Sequence, residues 1–113
     1  MQPSDPEDVD EVDTALAGAR GEFVDAFDAR CDRMATLIDD LAGADSGAAC
    51  AELAHLLHRM GGLGGVIGLP LVSDRAREFE DLVRDAPAGR VDVEAARRLL
   101  TALRAAFQSD LSR

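Results

Sequence analysis

A chain of 113 residues with 22 acids against 12 bases has room for one domain with a single core, too little for a kinase carrying its own nucleotide-binding domain. Its net charge of -10 opposes nucleic-acid phosphate, whose binding needs clustered cations to displace counterions. No apolar run is long enough to span a bilayer, and the first residues are acidic rather than basic and apolar, so neither a membrane segment nor a signal peptide is expected. These features together favour a cytoplasmic protein that meets other proteins or small ligands.

Residues 1–18 read as an acidic arm or short helix, with Asp5, Glu7, Asp8, Asp10, Glu11 and Asp13 and no basic residue before Arg20. Val9, Val12 and Leu16 give it only a thin apolar stripe, so a mobile, solvated segment is expected ahead of a domain at residues 19–113. From Gly21 to Ala42 the residues Phe23, Phe27, Cys31, Met34, Ile38 and Leu41 recur every three or four positions, one face of an amphipathic helix. Gly43 and Asp45-Ser46-Gly47 then supply a stop, a turn and an N-cap. A second helix starting near Gly47 carries Ala49, Leu53, Leu56, Leu57 and Met60 inward, with Glu52, His55 and Arg59 outward. His58 falls between buried positions and is expected to be wholly or partly exposed.

Val66 and Ile67 extend the apolar face, and a tight turn follows at Gly68-Leu69. Pro70 suits the first position of a third helix, with Leu71 or Val72, Ala76, Phe79, Leu82 and Val83 inward. After the loop signal Asp85-Ala86-Pro87-Ala88-Gly89, Asp92 caps a fourth helix that buries Ala96, Leu99, Leu100, Leu103, Phe107 and Leu111. No stretch alternates with period two and no internal repeat occurs. The fold class is therefore all-α, an antiparallel up-down-up-down four-helix bundle with a short or mobile N-terminal segment.

Half of the ten glycines and both histidines crowd into residues 54–70. Each glycine inside a helix costs about 1 kcal/mol relative to alanine, so stability alone does not place them there. Read from His58, the segment is His-Arg-Met-Gly-Gly-x-x-Gly-x-x-Gly-Leu-Pro, followed further on by Glu78-Phe79-Glu80. This resembles the histidine phosphotransfer (HPt) family, whose motif runs His-x-Leu-Lys-Gly, a small residue three further on, Gly-Leu, and a helix ending in an apolar-Glu pair. The likeness also takes in Phe23 to Leu41 and the helix after the motif. It puts His58 on the phospho-accepting histidine, Met60 on the leucine, and Gly62, Gly65 and Gly68 on the small positions. Gly61 stands where the family has lysine.

The resemblance implies a free-standing, monomeric phosphocarrier rather than an enzyme. Its partners would be receiver domains of response regulators or hybrid histidine kinases, which donate and accept the phosphoryl group and supply the Mg2+; no cofactor of its own is expected. An exposed imidazole, with an ordinary pKa of about 6.5, offers a free nitrogen near neutral pH without a separate base. A loose phosphoryl transition state asks mainly for cations and alignment. Gly61, Gly62 and Gly65 lie three, four and seven positions beyond His58, on its side of the helix, and are the expected receiver-docking positions. With the lysine missing, Arg59, Arg77 or Arg84 is the candidate replacement cation. In a hairpin turning at Gly68-Leu69, residues 77–84 come level with His58.

Other readings fit less of the sequence. A non-phosphorylated adaptor could use the same face to bind a receiver or kinase, which the absent lysine favours. His55 and His58 form His-x-x-His, two imidazoles on adjacent turns that could hold part of a metal or haem site, but no third ligand is in register, so no metal residues are assigned. Gly-Gly-Leu-Gly-Gly follows no strand and precedes no lysine, which excludes a phosphate loop. Cys31 and Cys50 lack a paired spacing and read as small hydrophobes. All twelve basic residues are arginine, a usage that suits a GC-rich bacterial genome.

Overall fold

A computed structural model describes residues 6–87 and 90–112 of the chain, with side chains from residue 11 onward. Four helices follow one another: α1 (Pro6–Asp40), α2 (Ser46–Val66), α3 (Pro70–Asp85) and α4 (Val93–Leu111). Each packs against its neighbours in sequence and α4 returns to α1, while α1 and α3, like α2 and α4, stand diagonally opposite. That ring is the up-down-up-down bundle expected from the short connections.

Helix α1 departs from expectation at its start. The acidic segment is continuous with the first bundle helix from Pro6, giving one helix of 35 residues rather than an arm joined to a helix near Gly21. About 52 Å of helix results, and it sets the 59 Å long axis of the molecule. Val12 and Leu16 remain exposed on this extension, and among the residues described with side chains burial begins at Phe23. Residues 1–5 of the expected arm, and Ala88 and Gly89 of the expected loop, lie outside the described residues.

Phe23, Phe27, Cys31, Met34 and Ile38 of α1 and Leu41 just after it are all buried, joined by Leu37. Phe27 stacks on Phe107 of α4 with ring centroids 3.8 Å apart, and Arg30 lies over the Phe23 ring. Burial pushes the Cys31 thiol up to about 11, against a smaller opposing pull from Arg104, so it stays protonated and unreactive at neutral pH. Cys50 is half-buried. On the surface, Arg33 reaches Glu52 of α2 through two bonds of 2.7 and 2.8 Å, and Arg104 of α4 reaches Asp32 of α1. Such exposed pairs set register more than they stabilise.

Helix α2 ends in a Schellman turn. Gly68 adopts φ 81°, the left-handed conformation that glycine takes without a side-chain penalty, and the Leu69 N–H donates back to the Gly64 carbonyl at 2.8 Å. Pro70 opens α3 immediately afterwards. Asp92 caps α4, its side chain accepting from the Ala95 N–H at 3.1 Å. Asp45 occupies the N-cap of α2, but its side chain makes no capping bond.

Two apolar positions differ from the periodic reading. Val66 is 65% exposed rather than part of the core, while Ile67 beside it is buried. Leu111 is also exposed, and its expected place inside is taken by Asp110. The Asp110 carboxylate accepts from the backbone N–H of Leu71 at 3.3 Å and of Val72 at 2.9 Å. Those donors belong to the first turn of α3, where no intrahelical acceptor is available, so an acid from α4 closes the end of another helix. Among the described residues, no helix is long and apolar enough to cross a membrane.

Candidate phosphotransfer site

Helix α2 is pinned from within by Leu57, which is fully buried, and by Met60. His58 lies between them in sequence and therefore points away from the core, with 71% of its side chain exposed. On α3 the fully buried Phe79 does the same for Glu80, turning its carboxylate along the α2–α3 seam toward the imidazole. His58 Nδ1 is 3.1 Å from one carboxylate oxygen and 3.3 Å from the other. An ionised carboxylate only accepts, so Nδ1 carries the proton and donates it, and the lone pair is left on Nε2.

Arg84, in the last turn of α3 and one turn beyond Glu80, donates its Nε–H to the same carboxylate. Burial raises the energy of a charged Glu80, whose side chain is only 12% exposed, but the bonds from Arg84 and His58 outweigh that cost. Glu80 is held below its ordinary value of 4.5 and is ionised at neutral pH. The result is a line of three groups, Arg84 to Glu80 to His58, that fixes one ring nitrogen and presents the other to solvent.

The glycines beyond His58 divide into two kinds. Gly62 and Gly65 are exposed, and a Cβ added at Gly62 would meet nothing within 4 Å. Gly61 is buried, which corrects its placement on an open docking surface. A Cβ there would lie 3.2 Å from Arg77 Cγ, 3.6 Å from the Ser73 carbonyl and 3.7 Å from Ala76 Cβ. Its absence lets α2 and α3 approach closely, as does that of Gly64, whose Cβ would lie 3.4 Å from the Leu69 carbonyl and the Ser73 N–H. Ser73 closes the contact by donating its hydroxyl to the Gly61 carbonyl at 2.7 Å, inside the seam. Val66 is exposed one turn beyond Gly62, so the surface beyond His58 is low, bare and partly apolar.

The three candidate arginines separate as well. Arg84 is engaged by Glu80. Arg77 runs along the seam, its Cγ over Gly61 and its Nη2 3.9 Å from where a Gly65 Cβ would stand. Arg59 lies on the other flank of α2, at the groove formed with Phe23, Arg30, Leu56, Met60 and Leu63. His55, one turn before His58, is exposed. Among the described residues, no group of three or more His, Cys, Asp or Glu is arranged to hold a metal ion.

Sequence reasoning did not assign a role to Glu80 or Ser73. The signal for Glu80 was available, since the hairpin geometry brackets it within the residues level with His58.

A family model for the Hpt domain matches residues 6–109, nearly the whole chain, and includes the N-terminal part of α1. The chain belongs to the Hpt domain family, whose members are phosphocarriers of two-component phosphorelays, without kinase activity, that interact with receiver domains. Comparison with curated proteins and with solved structures gave no match.

Proposed function

We propose that the protein carries a phosphoryl group on Nε2 of His58, taking it from the aspartyl phosphate of one receiver domain and passing it to the aspartate of another. The observation that carries this reading is an imidazole 71% exposed whose Nδ1 is nevertheless held by Glu80. In the forward step the Nε2 lone pair attacks phosphorus, an N–P bond forms, and the P–O bond to the receiver aspartate breaks as its carboxylate leaves. The Nδ1 proton stays in place, so the product is a phosphorylated imidazolium whose positive ring faces Glu80. The reverse step returns the neutral ring as leaving group. No proton has to be removed from the nucleophile, and so no separate base is required.

In this reading the receiver brings the Mg2+ and seats on Gly62, Gly65 and the exposed Val66, with the carrier acting as a cytoplasmic monomer. Receivers of response regulators or of hybrid histidine kinases are the partners. The reading is tested by mixing the protein with a panel of receiver domains charged with acetyl phosphate and Mg2+. An acid-labile, alkali-stable phosphate should appear on the protein and be absent from His58→Gln. Binding of a receiver without label would support an adaptor instead, and label that persists in His58→Gln would remove His58 from the role.

The docking surface carries its own expectation. Since nothing stands near a Cβ at Gly62, Gly62→Ala should stabilise the fold by about 0.5–1 kcal/mol in urea denaturation through helix propensity. Gly62→Phe should also fold, yet slow transfer from a phosphorylated receiver by at least about tenfold, because its ring stands where the partner must approach. Wild-type transfer by that variant would show that the receiver docks elsewhere.

A further inference from the structure

We propose that Arg77 is the cation that faces the phosphoryl group on His58, and that emptying position 61 has moved this charge from α2 to α3. The inference rests on the phosphocarrier reading and names a further residue of the same site. Gly61 is one turn beyond His58 and is buried against α3. A lysine here would have to displace the Arg77 shaft, since its Cβ would start 3.2 Å from Arg77 Cγ. The same geometry lets the arginine shaft cross the vacated position. Arg77 reaches from the α3 side the region that a side chain at 61 would have reached from α2.

The other arginines are less suited. Arg84 spends its Nε–H on Glu80 and acts on the imidazole through that carboxylate. Arg59 is about 100° around α2 from His58, on the flank facing α1. Arg77 is exposed, and among the described residues it takes part in none of the ion pairs, which involve Arg33, Arg75, Arg84, Arg97 and Arg104 along with His58.

Its guanidinium lies beside Gly65, two turns beyond His58, while its Cγ is level with Gly61. One turn of helix rises about 5 Å, and an arginine spans a similar length from Cγ to its terminal nitrogens. Rotation about its own torsions therefore carries the fork from the receiver-facing glycines back to a phosphoryl group on Nε2. Guanidinium gives two parallel N–H donors to phosphate oxygens where an ammonium offers a point charge. In a chain with a net charge of -10, a local cation at this spot also offsets repulsion of the incoming phosphate.

The test measures transfer from a phosphorylated receiver and the half-life of the isolated phosphoprotein. Arg77→Ala should slow transfer by about 10- to 100-fold and alter the half-life, while Arg77→Lys keeps an intermediate rate. Arg75→Ala, which removes an exposed arginine paired with Glu78 on the same helix, should transfer like wild type. Adding Gly61→Lys to Arg77→Ala should recover most of the lost rate, since the lysine then has room and restores the charge from α2. Circular dichroism checks that each variant is folded. Wild-type rate and half-life in a folded Arg77→Ala, with label still on His58, would overturn the inference and leave the carrier reading standing. Failure of the wild-type protein to take label from any receiver would overturn both.

Discussion

Replacing Glu80 with alanine is expected to slow phosphoryl transfer to His58 by about 10- to 100-fold while leaving the bundle folded. The estimate follows from removing a hydrogen bond to an ionised partner, a contact worth about 1.5–3 kcal/mol. Glu80 selects the Nδ1–H tautomer and holds the ring at one angle, so its loss divides the imidazole among tautomers and rotamers of which only some present a lone pair outward. Nitrogen NMR of the unphosphorylated protein above the imidazole's titration range should show the proton shifting toward Nε2 in Glu80→Ala. Glu80→Gln, which retains an acceptor but loses the charge, should fall between. A variant with unchanged tautomer and unchanged rate would mean that the 3.1 Å contact does not govern the nucleophile.

The same contact has a pH signature. The Glu80 carboxyl lies below its ordinary value of 4.5: burial pushes it up, and the bonds from Arg84 and His58 pull it down further. A carboxyl depressed in the folded state contributes stability that is fully present above its unfolded value and is lost as pH falls through the lower folded value. Wild type should therefore exceed Glu80→Ala in thermal stability at neutral pH, and the difference should shrink once the pH drops below about 4.5. A difference that grows as the pH falls below about 4.5 would reverse the sign and refute the assignment.

Much of this architecture is legible in the residues because one periodicity governs it. Phe23 through Leu41 and Ala96 through Phe107 repeat at helical spacing and are buried or half-buried along that face, and the turn at Gly68-Leu69-Pro70 announces itself by residue type. Exposure of His58 follows from its place between Leu57 and Met60. What periodicity does not carry is which small residue serves which neighbour. Gly61 and Gly62 are adjacent in sequence, yet one lies inside the α2–α3 seam and the other in open solvent. Helical phase relative to α3, not composition, separates them. The extent of α1 was obscured for another reason: a thin stripe of Val9, Val12 and Leu16 among acids resembles a solvated arm, although it continues the helical phase of Phe23 and Phe27. Polar contacts across helices, such as Glu80 with His58 and Ser73 with Gly61, depend on level and rotation together.

Asp110→Ala is expected to destabilise the fold by about 3 kcal/mol, the largest stability effect among the polar residues. Asp110 is 3% exposed, and its carboxylate accepts from the Leu71 and Val72 N–H groups, neither of which has an intrahelical partner this early in α3. Removing it strands the buried Val72 N–H, at about 1–3 kcal/mol, leaves the part-buried Leu71 N–H without its acceptor, and takes a negative charge from the positive end of the α3 dipole. Asp110→Asn keeps one acceptor and should cost about 1 kcal/mol. Urea denaturation of the two variants against wild type measures both, and alanine costing less than about 0.5 kcal/mol would show that water replaces the carboxylate without loss. The position itself carried a warning in the sequence: an acid in the last turn of α4 opposes that helix's own dipole, yet it sits three residues after Phe107 and seven after Leu103 on the buried stripe. A charge kept where both its own helix and the core disfavour it must answer to a partner elsewhere. Because α3 begins at that partner and carries Glu80, Arg77 and Arg84, loosening it should also slow transfer, even though Asp110 is at the far end of the helix from Glu80 and Arg84.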